Sequence, residues 1–276
     1  MAPTVDLPTG AMPQLGLGTY KLHDETVREV LDTAYDAGYR HVDTAEGYGN
    51  EAALGDALAS YDRDDFWITS KVLPSNLNYE SVIDACQASL DRLGIDTLDL
   101  YLVHWPNPAI SLRETLDAMA TLVDRGLVRN VGVSNFTAYQ LRAARRISPV
   151  PIAVDQVEFH PYYQQERVRE EVADGSIALE AAAPLARAAV FDDPTITEIA
   201  ERYDRTPAQI TLRWAIEHGA TVIPRSSTPD HVRANADVLD WSLDDRDVGA
   251  IDDIATRESA YYEGFDFTGE TYGIAE

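Results

Sequence analysis

The sequence predicts an α/β fold, a parallel (β/α)8 barrel, from three observations. Strand-like runs alternate with helix-like segments of about ten residues or more, an order that calls for a parallel sheet, and eight such units allow closure. The length of 276 residues suits one barrel of roughly 250 residues with modest additions. Three early runs end on side chains able to do chemistry: RHVD on Asp43, FWITSK on Lys71 and LDLYLVH on His104. A parallel barrel gathers its strands' carboxyl ends on one face, so these residues would converge in one pocket. A doubly wound open sheet is the alternative, but no GxGxxG opens a first helix.

Each element is placed by the spacing of its apolar residues. A hairpin over 5–13 precedes a strand at 14–20 and an amphipathic helix at 25–37. RHVD leads to a helix at 51–60, FWITS to one at 79–93, and LDLYLVH to one at 112–125. LVRNVGVS is followed by a helix at 138–146, AVDQVEF by one at 166–173, and IALEAAA by a single helical stretch at 195–218. TVIP is the eighth strand, with a helix near 230–237, an extra helix at 243–256 and an aromatic, glycine-containing tail. No linker or repeat interrupts the chain, so residues 1–276 read as one domain.

Charge is heavily skewed: 47 acidic against 22 basic residues leave a formal net of −25. The acids are spread along the chain, which argues against an acidic arm. Lys21 and Lys71 are the only lysines; every other basic residue is arginine. Such self-repulsion is screened when the Debye length falls to about 3 Å in molar salt, so a halophilic chain in a salt-rich cytoplasm is expected. A lone cysteine, Cys86, excludes a disulfide framework or cysteine-rich metal site. The sequence shows neither a signal peptide nor an apolar run long enough to span a membrane, and its charge opposes nucleic acid and anionic lipid. A cytoplasmic monomer acting on a small molecule is the expectation.

An acid, a phenol, an amine and an imidazole suit proton transfer to a carbonyl oxygen. Tyr48 lies five residues after Asp43. Tyrosine, with a reference pKa of about 10, is a reluctant donor at neutral pH, but a neighbouring ammonium favours its phenolate. Lys71 would supply that ammonium, Asp43 would hold it charged, and His104 would donate to the carbonyl oxygen. Taken singly each has a plainer reading: Asp43 as a helix cap, Tyr48 as packing, His104 as a structural group. Three consecutive strand ends carrying them favour the joint reading.

GYRHVDTAEGYGNE, ITSK and YLVHWP resemble the aldo-keto reductase superfamily, and the likeness runs from GLGTY to IPRSS. Short connections after LVHWP and APLARA make the chain more similar to the compact prokaryotic branch, such as diketo-gluconate reductases. The resemblance implies NAD(P)H-dependent carbonyl reduction on this barrel, with Asp43, Tyr48, Lys71 and His104 as the catalytic set. It also implies a dinucleotide site: Ser134, Asn135 and Gln156 for the nicotinamide carboxamide, Gly18 and Thr19 near the ribose, Arg225, Ser226 and Ser227 for the adenosine phosphate, and Asn235 for adenine. Tyr20, where a tryptophan is common, and Trp105 would line the substrate pocket.

Two departures concern the cofactor. Ala182 stands where the family usually stacks an aromatic ring on the nicotinamide. His231 replaces a usual arginine and carries no full charge at pH 7, while Arg225 offers a bidentate fork to a 2′-phosphate. NADP(H) is favoured, with NAD(H) or dual use in second place. Tyr261, Tyr262, Phe265 and Phe267, in the tail at 257–276, would either form a lid or pack on the barrel exterior. A dinucleotide-binding sensor or subunit without catalysis remains an alternative. So does a metal-dependent hydrolase using Asp43, His104, Glu158 and His160, but it leaves Lys71 and Tyr48 idle and has no HxH or HExxH pair.

Overall fold

The computed structural model describes residues 3–261. A two-stranded antiparallel hairpin, β1 (Thr4–Asp6) and β2 (Ala11–Pro13), precedes the main sheet. That sheet has eight parallel strands: β3 (Leu17–Gly18), β4 (His41–Asp43), β5 (Trp67–Val72), β6 (Leu98–Val103), β7 (Val128–Ser134), β8 (Ile152–Glu158), β9 (Ala178–Ala182) and β10 (Thr221–Val222). Neighbours in sequence are neighbours in space, and the first and last strands meet. Gly16 N donates to Val222 O at 2.8 Å, Val222 N to Gln14 O at 3.0 Å and Gly18 N to Pro224 O at 3.1 Å, which closes the barrel.

Eight α-helices of the described residues precede the last strand: α1 (Asp24–Asp36), α2 (Glu51–Leu58), α3 (Tyr79–Leu93), α4 (Leu112–Asp124), α5 (Ala138–Ile147) and α6 (Glu166–Val172), one after each of β3 to β8, then α7 (Pro194–Tyr203) and α8 (Pro207–Glu217) in succession after β9. After β10 come α9 (Pro229–Ala236) and α10 (Asp245–Asp252). The helices bury their apolar faces on the outer face of the sheet. Val30, Leu31, Leu54, Leu90, Met119 and Ile210 belong to one buried cluster with Val42, Ile68, Tyr101 and Val133 of the strands.

Three expected elements differ. The stretch expected as one helix over 195–218 is broken: Asp204 takes a left-handed φ of 52°, and Thr206 opens α8 with a capping box and Pro207 in its first turn. Proline there lacks only an N–H that a first turn leaves unbonded anyway. The strand expected at 14–20 narrows to two residues because the seam is tight at its glycines; a Cβ on Gly18 would lie 2.7 Å from Ile223 O. The extra helix expected at 243–256 is the shorter α10. A 3-10 segment, Ala186–Asp192, with no sequence signal, fills the β9–α7 connection.

Asp155 on β8 points away from the barrel interior and is buried, with no hydrogen-bond partner for either carboxyl oxygen among the described residues. Burial holds its carboxyl well above the usual range. The folded chain therefore keeps a proton that the unfolded chain releases near the ordinary value. This group favours folding fully in acid and progressively less as pH rises. Asp155→Asn should thus stabilise the protein at pH 7 by about 1–3 kcal/mol. The urea midpoint should rise, and the gain should shrink toward pH 4; an unchanged midpoint at pH 7 would contradict this.

Candidate active site

Strand ends and one short turn assemble the expected quartet. Alternation along a strand turns Asp43 and Lys71 inward. Tyr48 ends a 3-10 turn, Glu46–Tyr48, from which Gly49, at φ 66°, leads the chain into α2. The Glu46 carboxylate pins that turn, accepting from Leu73 N at 2.9 Å and from Asn76 Nδ2 at 2.7 Å. Lys71 Nζ then donates to Asp43 Oδ1 at 2.6 Å, to Thr44 O at 2.9 Å and to the Tyr48 hydroxyl at 3.3 Å. His104, directly after β6, meets the Tyr48 ring edge-on with centroids 5.6 Å apart. Burial, and secondarily the Lys71 ammonium, hold His104 well below the ordinary imidazole range. It is neutral at pH 7 and can offer one N–H.

Both charges of the Asp43–Lys71 pair are withdrawn from water, at 2% and 0% side-chain exposure. Buried pairs persist when their remaining bonding capacity is filled, and here Gln156 Nε2 donates to Asp43 Oδ2 at 2.8 Å. The residues expected around a carboxamide also adjoin. Asn135, at φ 60°, donates to His104 O at 2.9 Å and Ser134 Oγ at 3.0 Å, and Ser134 Oγ donates to Gln156 O at 2.7 Å. Gln156 Nε2 also donates to Glu180 Oε2 at 2.8 Å, so the donors of both amides are spent and Asn135 Oδ1 and Gln156 Oε1 are the acceptors left. A carboxamide NH2 suits that pair.

A cleft of about 860 Å³ joins these groups to Gly18, Tyr20, Trp105, Ala182 and the connection after β10. Thr19 lies beside it, its hydroxyl donating to Asp43 O at 2.9 Å. Arg225 spends one edge of its guanidinium within the chain: Nε reaches Tyr20 O and Nη2 reaches Lys21 O, both at 3.0 Å. Its Nη1 makes no hydrogen bond among the described residues. Ser226 closes the turn into α9, donating to Thr228 O at 3.2 Å. Ser227, His231 and Asn235 also line the cleft, with His231 exposed and Asn235 buried. Ala182 presents no ring.

Other lining residues had no role in the sequence reading, notably Lys21, Leu73, Arg187 and Phe191. Lysine scarcity, which singled out Lys71, would have singled out Lys21 as well. At the mouth, Glu158 accepts from Ser259 Oγ and Ala260 N, which brings Tyr261 against Trp105 with centroids 6.1 Å apart and within 5.6 Å of the Arg187 guanidinium. Tyr262, Phe265 and Phe267 lie outside the described residues. Glu158 is also 2.9 Å from His160 Nε2. No group of three or more potential metal ligands occurs among the described residues, and no helix among them is long and apolar enough to cross a membrane.

The sequence profile of the aldo/keto reductase family matches residues 12–256. The chain belongs to that family. It is an NAD(P)H-dependent aldo-keto reductase, an oxidoreductase that acts on carbonyl compounds. An aldo-keto reductase of Mycolicibacterium smegmatis is 39% identical over 275 residues, covering 98% of this chain and 100% of the relative. The solved structure of a candidate 2,5-diketo-D-gluconic acid reductase B superposes with a TM-score of 0.88 at 34% identity, covering 91% of each chain. The Bombyx mori aldo-keto reductase in complex with NADP gives 0.89 at 30% identity, covering 97% of this reductase and 96% of that chain. The non-catalytic barrel and the metal-dependent hydrolase are not favoured.

Proposed function

We propose that Tyr48 is the general acid of this reductase, that Lys71 and Asp43 set its readiness to release a proton, and that His104 orients the carbonyl oxygen. The observation that carries this reading is the position of Lys71 Nζ, 2.6 Å from Asp43 Oδ1 and 3.3 Å from the Tyr48 hydroxyl. When bound, the reduced nicotinamide supplies the hydride. Ser134, Asn135 and Gln156 hold its carboxamide; Gly18 and Thr19 border the ribose; Arg225, Ser227, His231 and Asn235 face the adenosine end. Ser226 contributes by fixing the turn that presents them.

NADP(H) is the favoured cofactor, because Arg225 retains an edge for a 2′-phosphate. His231 stands in place of a second arginine, so discrimination against NAD(H) is modest. Tyr20, Trp105 and Tyr261 shape the substrate side, and the described start of the tail supports a lid over the mouth. The acidic surface keeps copies apart, in line with a monomer, and a buried lone thiol at Cys86 suits a reducing cytoplasm.

The test is turnover on aldehydes, ketones and sugar-derived carbonyl acids with NADPH and with NADH, at one stated molar salt concentration. Reduction should occur with both cofactors, and kcat/KM should be about tenfold or less in favour of NADPH. Absence of turnover across the panel, with nucleotide binding intact, would count against the catalytic assignment.

A further inference from the structure

Below the quartet the barrel holds a second buried carboxyl that the catalytic reading does not use. Glu180 on β9 is fully buried, and its Cα pairs with Gln156 on one side and Thr221 on the other. The Gln156 amide nitrogen is shared between two acids: it donates to Asp43 Oδ2 and to Glu180 Oε2, each at 2.8 Å. One neutral amide thus links Glu180 to the Asp43–Lys71 pair. The other oxygen, Glu180 Oε1, has no hydrogen-bond partner among the described residues and lies 3.5 Å from His41 Nε2.

The protonation of Glu180 can be argued from its neighbours. His41 Nδ1 lies 3.4 Å from Pro13 O. A carbonyl oxygen only accepts, so Nδ1 carries the imidazole proton, and the Nε2 lone pair faces both the Thr69 hydroxyl, at 3.2 Å, and Glu180 Oε1. Burial keeps His41 from taking a second proton, pushing its pKa down to about 3. An ionised Glu180 would face that lone pair with its unpaired oxygen while sharing one amide with Asp43. A carboxylic acid at Oε1 instead has an acceptor to face. Burial first, and then the charge of Asp43, push Glu180 up to about 8. The titratable groups around it are His41 and Asp43 from β4 and Lys71 from β5; Thr69, Gln156 and Thr221 are the neutral polar neighbours.

We propose that Glu180 is a positioning residue for carbonyl reduction, acting through the Gln156 amide on Asp43 and through Asp43 on the Lys71–Tyr48 contact. This rests on the assignment of Tyr48 as the general acid. With Glu180 neutral, the cavity floor holds one carboxylate and one ammonium, and the Lys71 charge acts on the Tyr48 hydroxyl. When Glu180 ionises, a second negative charge offsets Lys71, and the phenol keeps its proton to higher pH. The two groups then titrate as a coupled set.

The experiment is the pH profile of kcat for aldehyde reduction in the wild type, Glu180→Gln and Glu180→Leu, with Tm and nucleotide Kd measured alongside. The wild-type alkaline limb should be shallower than a single ionisation. In both variants it should sharpen to a single ionisation and move to lower pH by about one unit, with nucleotide Kd unchanged within about twofold. Limbs that coincide with the wild type would overturn the proposal. So would a single-ionisation limb in the wild type, even if neither variant folds. If instead Tyr48→Phe retains full activity, the general-acid assignment has failed, and that outcome is separable from the behaviour of Glu180.

Discussion

Tyr48→Phe should leave a folded, nucleotide-binding protein whose turnover in carbonyl reduction falls by about a hundred- to ten-thousand-fold. The substitution removes one oxygen. The ring keeps its neighbours, Tyr20 at 5.1 Å and His104 at 5.6 Å between centroids, so Tm and cofactor Kd should stay near wild type. What is lost is the hydroxyl 3.3 Å from Lys71 Nζ, the proposed proton source. A fall in kcat with Kd preserved assigns the effect to proton delivery. Wild-type turnover in the variant would leave Tyr48 without a chemical role.

Lys71→Met should have the second large effect, and on two quantities at once. Lys71 is fully buried, and its ammonium is the cation paired with Asp43. Removing it leaves a buried carboxylate uncompensated, which costs about 3–5 kcal/mol, so the urea midpoint should drop sharply along with turnover. Adding Asp43→Asn removes the stranded charge. The double variant should regain most of the stability and none of the activity, because the phenol still lacks its ammonium. Parallel recovery of stability and turnover would show that the pair serves folding alone.

Much of this fold was legible because apolar spacing and strand-end chemistry are local signals. Asp43, Lys71 and His104 could be found by reading where each strand run stops. The helix break at Asp204 was harder, since apolar spacing continues across it and only the Thr206-Pro207 pair marks the restart. Glu180 could not be read as a partner of Asp43: the two lie on β9 and β4, and only closure of the barrel brings both to one amide. The bond of the Ser226 hydroxyl to Thr228 O is a local turn contact that the IPRSS string does not reveal. The 3-10 segment after β9 was invisible for a related reason, because Ala183, Ala186, Arg187 and Ala188 adopt positive φ without the glycines that usually announce it.

The seam between the first and last strands carries a kinetic consequence. Arg225 bonds to the carbonyl of Tyr20 across 205 residues of chain, so that corner of the cleft forms only when both ends of the polypeptide have been made and brought together. Contacts this distant in sequence are slow to form. A nascent chain lacking its last strand lacks this edge of the cleft. A dinucleotide lying along Gly18 and Arg225 would clamp the late-forming edge and bind the closed barrel in preference to the open one, making the cofactor a brake on unfolding as well as a reagent.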